Sequence, residues 1–497
     1  MPSSPEMHIP KMDFPIKAEA TVRDADTIST NNALENSNVE SIVPSTLERR
    51  VLRKLDLRLA PMFAVLYFVA YLDRSNISNA AVAGLKEQLR LTGSQYSTAV
   101  SVFYATYVPF MLPAVLAVRK LKPHRAITAM VVSWSVVTIG TAFVRSYSAL
   151  VGVRVLLGFC ESGFFPCLGI YIAGVYKREE QGLRIAYLFS SASLASMFGG
   201  LIATGITNIN ERNGLLSWSW LYIIEGSISV LVGIWVWFGL PEDPSTASFW
   251  TEEEKTVMAL RAEQRASYMG DERFDWKEVQ RALMDPKVYM TALIQFFQDI
   301  ILYGFTTFLP SILQLDLGFS SLEAQYMSVP VYFLGGIVFF SASILGDRWR
   351  LRGTLLFILD IFPVIGYALL LSVQTSGVRY FACYLIAIPL YCGPGLNEIW
   401  INNNMAPHYR RATAVGIQQL TGNLAGIVAP QVYTSAPYVL GHWCSLGATL
   451  LSMGLIASQI GYLFWKNKCK DDIVKGLRVD DRREVTGEGD LGFRYVY

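Results

Sequence analysis

Apolar windows of about 20 residues, the length a helix needs to cross a hydrocarbon layer, recur along this chain. They fall at 59–82, 96–118, 126–145, 148–175, 184–207, 218–240, 287–314, 323–345, 354–373, 377–402, 412–436 and 443–465. Each reads as a membrane-spanning helix. Composition agrees: 52% of the 497 residues are hydrophobic and 16% charged, against about 25% charged in soluble chains. The expectation is an all-α membrane protein with twelve transmembrane helices. Its net charge of +2 is spread in short clusters between apolar segments, so nucleic acid is not an expected partner. The bilayer is. The six cysteines show no paired or metal-ligand spacing.

Lys and Arg in the short loops orient the spans. Arg49, Arg50, Arg53, Lys54 and Arg58 precede the first window, Arg119, Lys120, Lys122 and Arg125 follow the second, and Lys177, Arg178 and Arg184 follow the fourth. In the second half Arg348, Arg350, Arg352, Arg410, Arg411, Lys466 and Lys468 collect on the same side. An even number of crossings with this bias puts both termini in the cytosol. The domain reading is a disordered N-tail (1–48), a six-helix bundle (49–240), a cytosolic central loop (241–285), a second bundle (286–466) and a C-tail (467–497). No signal-peptide core precedes the first window. Within the central loop, Thr251 three residues before Glu254 predicts a capped amphipathic helix, expected to lie on the membrane surface.

The halves repeat. Arg184 and Gly199 recur as Arg411 and Gly426 at an offset of 227, Pro166 and Pro394 differ by 228, Asp73 and Asp299 by 226, and Arg125 and Arg352 by 227. One near-constant offset through four pairs of elements marks parallel repeats, as in carriers that rock two bundles about a midplane site.

Charges inside the windows are the functional signal, since an ionised side chain near a helix centre costs about 2.5–3.5 kcal/mol and normally faces a bundle interior. Asp73 and Arg74 stand together in YLDRSNIS. At helical spacing Tyr71 and Arg74 share a face, and Asp73 and Asn76 share the next. Arg74 offers a planar fork that matches a carboxylate, so it either anchors an anionic substrate, helped by Tyr71, or neutralises a partner in the bundle. In the fourth window Arg154 and Glu161 are two turns apart on one face. Glu161 could load and release a proton as its exposure changes, or form a structural pair with Arg154. Glu225 reads as an interhelical hydrogen-bonding acid, Asp299 as the repeat partner of Asp73 without a following arginine. The amides of Asn397, Gln418 and Asn423 are candidates to read polar substituents of a substrate.

The chain resembles the major facilitator superfamily over about 50–468. The loop Gly346-Asp347-Arg348-Trp349-Arg350-Leu351-Arg352-Gly353 resembles the superfamily's loop motif, whose counterpart in the first half, PAVLAVRKLKPHR, lacks the expected Gly and Asp. More narrowly, YLDRSNIS, RVLLGFCESGFFP, WLYIIEG, LPEDPSTASFWTEEE and GNLAGIVAPQVY resemble the anion:cation symporters, in their fungal allantoate permease-like branch. The resemblance implies the major facilitator fold and alternating access. It also implies Arg74 as carboxylate anchor, and Asp73 and Glu161 in proton coupling, with Arg154 beside them. Asn76, Glu225, Asp299, Gly346, Asp347 and Arg348 are assigned gating or structural roles. The expected activity is proton-coupled import of a small organic carboxylate such as a ureido acid, nicotinate or pantothenate. A monomer in the plasma membrane is expected, with the proton as coupling ion and no other cofactor. A metabolite exporter and a nutrient sensor on a carrier scaffold are the alternatives. An enzyme is not expected, because the loops carry no metal set, Ser-His-Asp arrangement or phosphate-binding glycine loop.

Overall fold

The structure is a computed structural model that describes residues 45–497 apart from 121–122, 208, 210–213, 243, 245–246, 270–275, 407, 478 and 481–486. The expected disordered tail therefore lies, but for its last residues, outside the described residues. The first half contains α1 (Ser45–Ala80), α2 (Gly93–Lys120), α3 (Pro123–Thr141), α4 (Tyr147–Glu161), α5 (Phe164–Val175), α6 (Arg178–Thr207) and α7 (Ser217–Gly239). The linker carries α8 (Glu252–Met269) and α9 (Trp276–Met284). The second half contains α10 (Pro286–Ser311), α11 (Ser321–Trp349), α12 (Arg352–Leu359), α13 (Ile361–Ser372), α14 (Ser376–Ala387), α15 (Cys392–Asn403), α16 (His408–Val432) and α17 (Val439–Val474).

Nine helical segments among the described residues are long and apolar enough to cross a membrane. The other three windows are also helical, and their departures have local causes. Window 377–402 is split into α14 and α15 around Pro389, which lacks the amide a continuous helix needs. Polar side chains such as Gln418, Gln419 and Asn423 dilute the apolar character of α16. The third, α3, is 19 residues long, and His124, Arg125 and its Ser and Thr residues dilute its apolar character. Breaks also divide α4 from α5 just before Pro166 and α12 from α13 just before Pro363. At its end α1 widens into a π-type turn over Ala81–Leu85, where Gly84 takes φ 101°, a backbone conformation that a residue with a Cβ resists.

Within the first half α1 packs on α6, α2 on α4 and α3 on α7; within the second, α10 packs on α16 and α17, and α13 on α14. The principal contacts between halves are α2 with α16 and α6 with α11. Under the repeat the second window maps to the eighth and the fifth to the eleventh, so these two contacts are equivalent to each other. They meet at the end of the bundle away from the chain termini. There Ser101 Oγ donates to Ile427 O at 2.8 Å, Gln431 Nε2 to Ser101 Oγ at 3.0 Å and Ser321 Oγ to Val82 O at 2.9 Å. A Cβ at Gly93 would lie 1.7 Å from Thr434 O. The two halves are closed against each other at that end.

The terminal end is built differently. Helix α8 begins with the reciprocal cap expected of Thr251 and Glu254: Glu254 N donates to Thr251 Oγ1 at 3.3 Å and Thr251 N to Glu254 Oε2 at 3.0 Å. It packs on protein rather than lying free on a surface. Val257 and Met258 are buried in the core of the first half, and Lys54 pairs with Glu254 at 2.5 Å. Arg261 bridges Glu48 (3.0 Å) and Glu180, and Lys177 also reaches Glu48 at 2.7 Å. Burial opposes charge on Glu254, but Lys54 and the amide and hydroxyl of Thr251 outweigh it and hold that carboxyl below its ordinary range. Beyond α17 the last residues return onto the second half. Glu488 meets Lys287 and Tyr495, Lys470 Nζ donates to the carbonyls of Glu488, Asp490 and Phe493, and Trp400 Nε1 donates to Val496 O at 2.8 Å.

Candidate binding site at the bundle centre

Arg74 sits on α1 where that helix faces both α4 and the second half. Close backbone approach brings Glu161 to it: a Cβ at Gly158 would lie 2.2 Å from Thr106 Oγ1 and 2.3 Å from Phe103 O, so α4 presses against α2 one turn before the acid. Glycine is the residue that permits this. Arg74 Nε donates to Glu161 Oε1 at 2.7 Å, with Glu161 almost wholly buried and the Arg74 side chain 16% exposed. The guanidinium carbon also lies 5.0 Å from the ring centre of Tyr107, 5.5 Å from Tyr71 and 5.6 Å from Phe103, within cation–π range. A cation paired with one buried acid and still open to a cavity can exchange that acid for another anion.

Glu161 pairs with Arg74 and not with Arg154, the structural alternative. Arg154 is buried in α4, with Nε and Nη2 bonded to nothing among the described residues. The reason is register: Arg154 lies two turns farther from the terminal end than Glu161, whereas Arg74 reaches across from α1 at the level of the acid. Asp73 faces away from Arg74, buried against α7, where its Oδ2 accepts from Ser229 Oγ at 3.1 Å. Glu225 on α7 lies within electrostatic reach of Asp73 and beside Asn76, and all three are buried. Asp73, Asn76 and Glu225 thus form one buried polar cluster behind the arginine.

Two lobes of a central cavity share Tyr71, Arg74, Leu302 and Tyr303. One continues toward Ser78, Asn79 and Ser328, the other toward Gln295, Asp299, Gln419 and Asn423. Asn423 Oδ1 accepts from Tyr303 OH at 3.1 Å, which fixes the phenol at the cavity wall. Tyr104 and Tyr303 meet across the halves with ring centres 4.7 Å apart, and Tyr67 and Tyr71 lie 5.1 Å apart along α1. Of the candidate amides, Asn423 lines the cavity. Asn397 is buried behind it, donating to Thr291 O and to Gln295 Oε1, both at 3.0 Å. Gln418 is fully buried and outside both lobes. The cavity aromatics Tyr67, Tyr104, Tyr107 and Tyr303 were not singled out from sequence. Their signal was present as the pairs 67/71 and 104/107, at i,i+4 and i,i+3 spacing in successive windows.

At the loop motif, Arg350 takes a left-handed conformation (φ 55°) and its N–H donates to Gly346 O at 3.0 Å, closing α11. Gly346 packs against Arg352, and Arg348 falls in the last turn of α11. The Asp347 side chain lies outside the described residues.

Two packed helical halves around a polar, aromatic-lined cavity, sealed at one end, define a membrane carrier. The chain belongs to the Major Facilitator Superfamily, whose model matches residues 63–430. It is 54% identical over 449 residues to an uncharacterized transporter of Schizosaccharomyces pombe, covering 90% of this chain and 93% of that protein. It is 36% identical over 431 residues to the high-affinity nicotinic acid transporter of Saccharomyces cerevisiae, covering 86% and 80%. These fungal relatives agree with the resemblance to a fungal branch. In fold it is similar to the Escherichia coli xylose transporter XylE in a partially occluded inward open conformation (TM-score 0.65, 12% identity, 82% of this chain and 98% of that chain). A bacterial homologue of the lysosomal transporter Spinster, inward-facing, gives a TM-score of 0.63 at 14% identity, covering 81% and 95%.

Proposed function

We propose that this protein imports a small organic carboxylate together with protons, by alternating access, across the plasma membrane with both termini in the cytosol. The observation that carries the reading is the Arg74–Glu161 pair at the cavity wall. While Glu161 is ionised it neutralises the guanidinium and occupies its Nε donor, which weakens Arg74's hold on a substrate carboxylate. A proton on Glu161 removes its charge and frees Arg74 for the incoming anion. Proton and substrate are then linked because one cation serves two alternative anions. Return of the substrate-free carrier requires the pair to re-form, so Glu161 gives up its proton on the cytosolic side. Asp73 stands behind Arg74 as a second proton site in contact with Ser229. One proton with a monovalent anion makes the cycle electroneutral; a second moves one positive charge inward and gains about 2.3 kcal/mol per 100 mV.

The relative that transports nicotinic acid supports a small organic acid of that size and charge as cargo, so nicotinate is one member of the panel to be tested. Such a ring carboxylate fits a wall made of an arginine and tyrosines. The test is uptake into proteoliposomes carrying a trapped pH dye, with nicotinate, pantothenate, allantoate and neutral analogues supplied outside. Internal acidification driven by one carboxylate, and lost in both Arg74→Ala and Glu161→Gln, supports the reading. Uptake that leaves internal pH unchanged, or that survives Arg74→Ala, contradicts it.

A further inference from the structure

The cavity is bipolar. Arg74 enters it from the first half, and Asp299 enters the same lobe from α10 of the second. Asp299 is buried, and both its oxygens accept from a single donor, Gln295 Nε2, at 3.3 and 3.2 Å. That donor is fixed in orientation: Asn397 Nδ2 holds Gln295 Oε1 at 3.0 Å, so the amino group must point at the acid. Among the described residues no cation pairs with Asp299. A carboxylate has about four lone-pair sites, so about half of its acceptor capacity is unused. In a buried setting that is costly unless something else supplies a donor. Helix α16 makes room for the acid with Gly422, where a Cβ would lie 2.4 Å from Asp299 Oδ2 and 2.5 Å from Gln295 Cγ. Tyr71 and Tyr303 line the space shared by both lobes.

We propose that Asp299 is a specificity-determining acceptor for the cargo. Resting on Arg74 as carboxylate anchor, this makes the substrate class a compact, flat carboxylate that carries an N–H donor at the end opposite its carboxylate. The carboxylate lies on Arg74 in the first half, the N–H donates to Asp299 in the second, and the flat body lies between Tyr71 and Tyr303. A ligand that joins an arginine of one half to an acid of the other also draws the two halves together, which is what an alternating carrier needs its cargo to do.

The test is equilibrium binding to the purified full-length protein of two isosteric pairs. In each pair only the donor differs: 4-aminobenzoate against 4-methylbenzoate, and 3-ureidopropionate against 5-oxohexanoate. Loss of a hydrogen bond to a charged group predicts that the donor of at least one pair binds about 10- to 100-fold tighter than its isostere. Asp299→Asn keeps the shape and removes the charge, and there the preference collapses to within about threefold. Equal binding within both pairs to the wild type, or a preference that persists in Asp299→Asn, overturns the proposal. The wild-type comparison stands even where the variant folds poorly. Arg74→Ala separates the two readings: if every compound still binds to it, the carboxylate anchor itself is wrong. If binding is lost there but the pairs do not differ in the wild type, only the role of Asp299 is wrong. Failure of all four compounds to bind overturns both.

Discussion

Arg74 and Glu161 meet at 2.7 Å in a pocket where Glu161 is buried, and removal of either partner leaves the other charge uncompensated. Breaking such a pair costs about 3–5 kcal/mol when the remaining charge stays buried. Arg74→Lys keeps the charge and loses the planar fork; carboxylate uptake should fall by about 10- to 100-fold while expression is retained, which initial-rate measurements check. Glycines give a cleaner pair of controls. At Gly158 an added Cβ runs into Phe103 O and Thr106 Oγ1, whereas at Gly152 in the same helix nothing lies within 4 Å. Gly158→Ala should destabilise by about 1–3 kcal/mol and lower the melting temperature in detergent, and Gly152→Ala should not. Sequence reasoning reached Arg74 and Glu161 individually because charges in apolar windows are conspicuous. It did not reach their pairing, because Arg154 sat nearer in sequence and only the folded chain, with Arg74 reaching from α1 to Glu161 on α4, shows which arginine is level with the acid. The tyrosines were missed for the opposite reason: aromatic residues are so frequent in spans that Tyr104 and Tyr303 acquire meaning only when they are seen to face each other.

Two elements outside the spans tie the terminal end together. Helix α8 is held by Lys54–Glu254 and by Arg261 between Glu48 and Glu180, so Arg261→Ala removes two ion pairs at once. Amide exchange in 252–269 should speed up in that variant while the spans stay protected. The Glu254 carboxyl is held below its ordinary range; its contact therefore stabilises docking above the unfolded glutamate range and is lost as pH falls through the depressed value. Exchange in α8 should rise on acidification in the wild type, and less so in Glu254→Gln. The cap that starts this helix was legible from Thr251 and Glu254, but its docking surface was not, since that depends on Val257 and Met258 meeting a core built from distant helices. The returning C-terminal segment was likewise read only as a tail. Its aromatic run Phe493–Tyr497 was the available cue, and the reason it folds back lies in Lys287, Trp400 and Lys470, which offer charge and donors to it. Deleting 487–497 should lower thermal stability by leaving Lys287 and Trp400 without these partners.

At the scale of the whole molecule, the repeat explains why the sealed end is made by two equivalent contacts, α2 with α16 and α6 with α11. Alternating access requires these contacts to break and the terminal end to close. Ser101 and Gln431 lie across the first of them at 3.0 Å. Cysteines placed at both positions should cross-link on oxidation, arrest uptake, and release it on reduction, with the single-cysteine variants unaffected. The near-constant offset in the sequence already implied two related bundles. It could not show which end is shut, because both arrangements share one set of helices and differ only in how the bundles tilt. Nor does symmetry extend to chemistry: Asp73 and Asp299 are repeat partners, yet one lies behind an arginine against Ser229 and the other lines the cavity beside Gln295.

The central claim is that a proton on Glu161 and a carboxylate on Arg74 are linked. The most direct measurement is the affinity of the tightest-binding carboxylate of the panel for the purified protein as a function of pH, in the wild type and in Glu161→Gln. In the wild type affinity should rise as pH falls, because protonation frees Arg74; in Glu161→Gln it should be high and nearly independent of pH. A wild type whose affinity does not change with pH, or a Glu161→Gln variant that keeps the wild-type slope, would contradict the account.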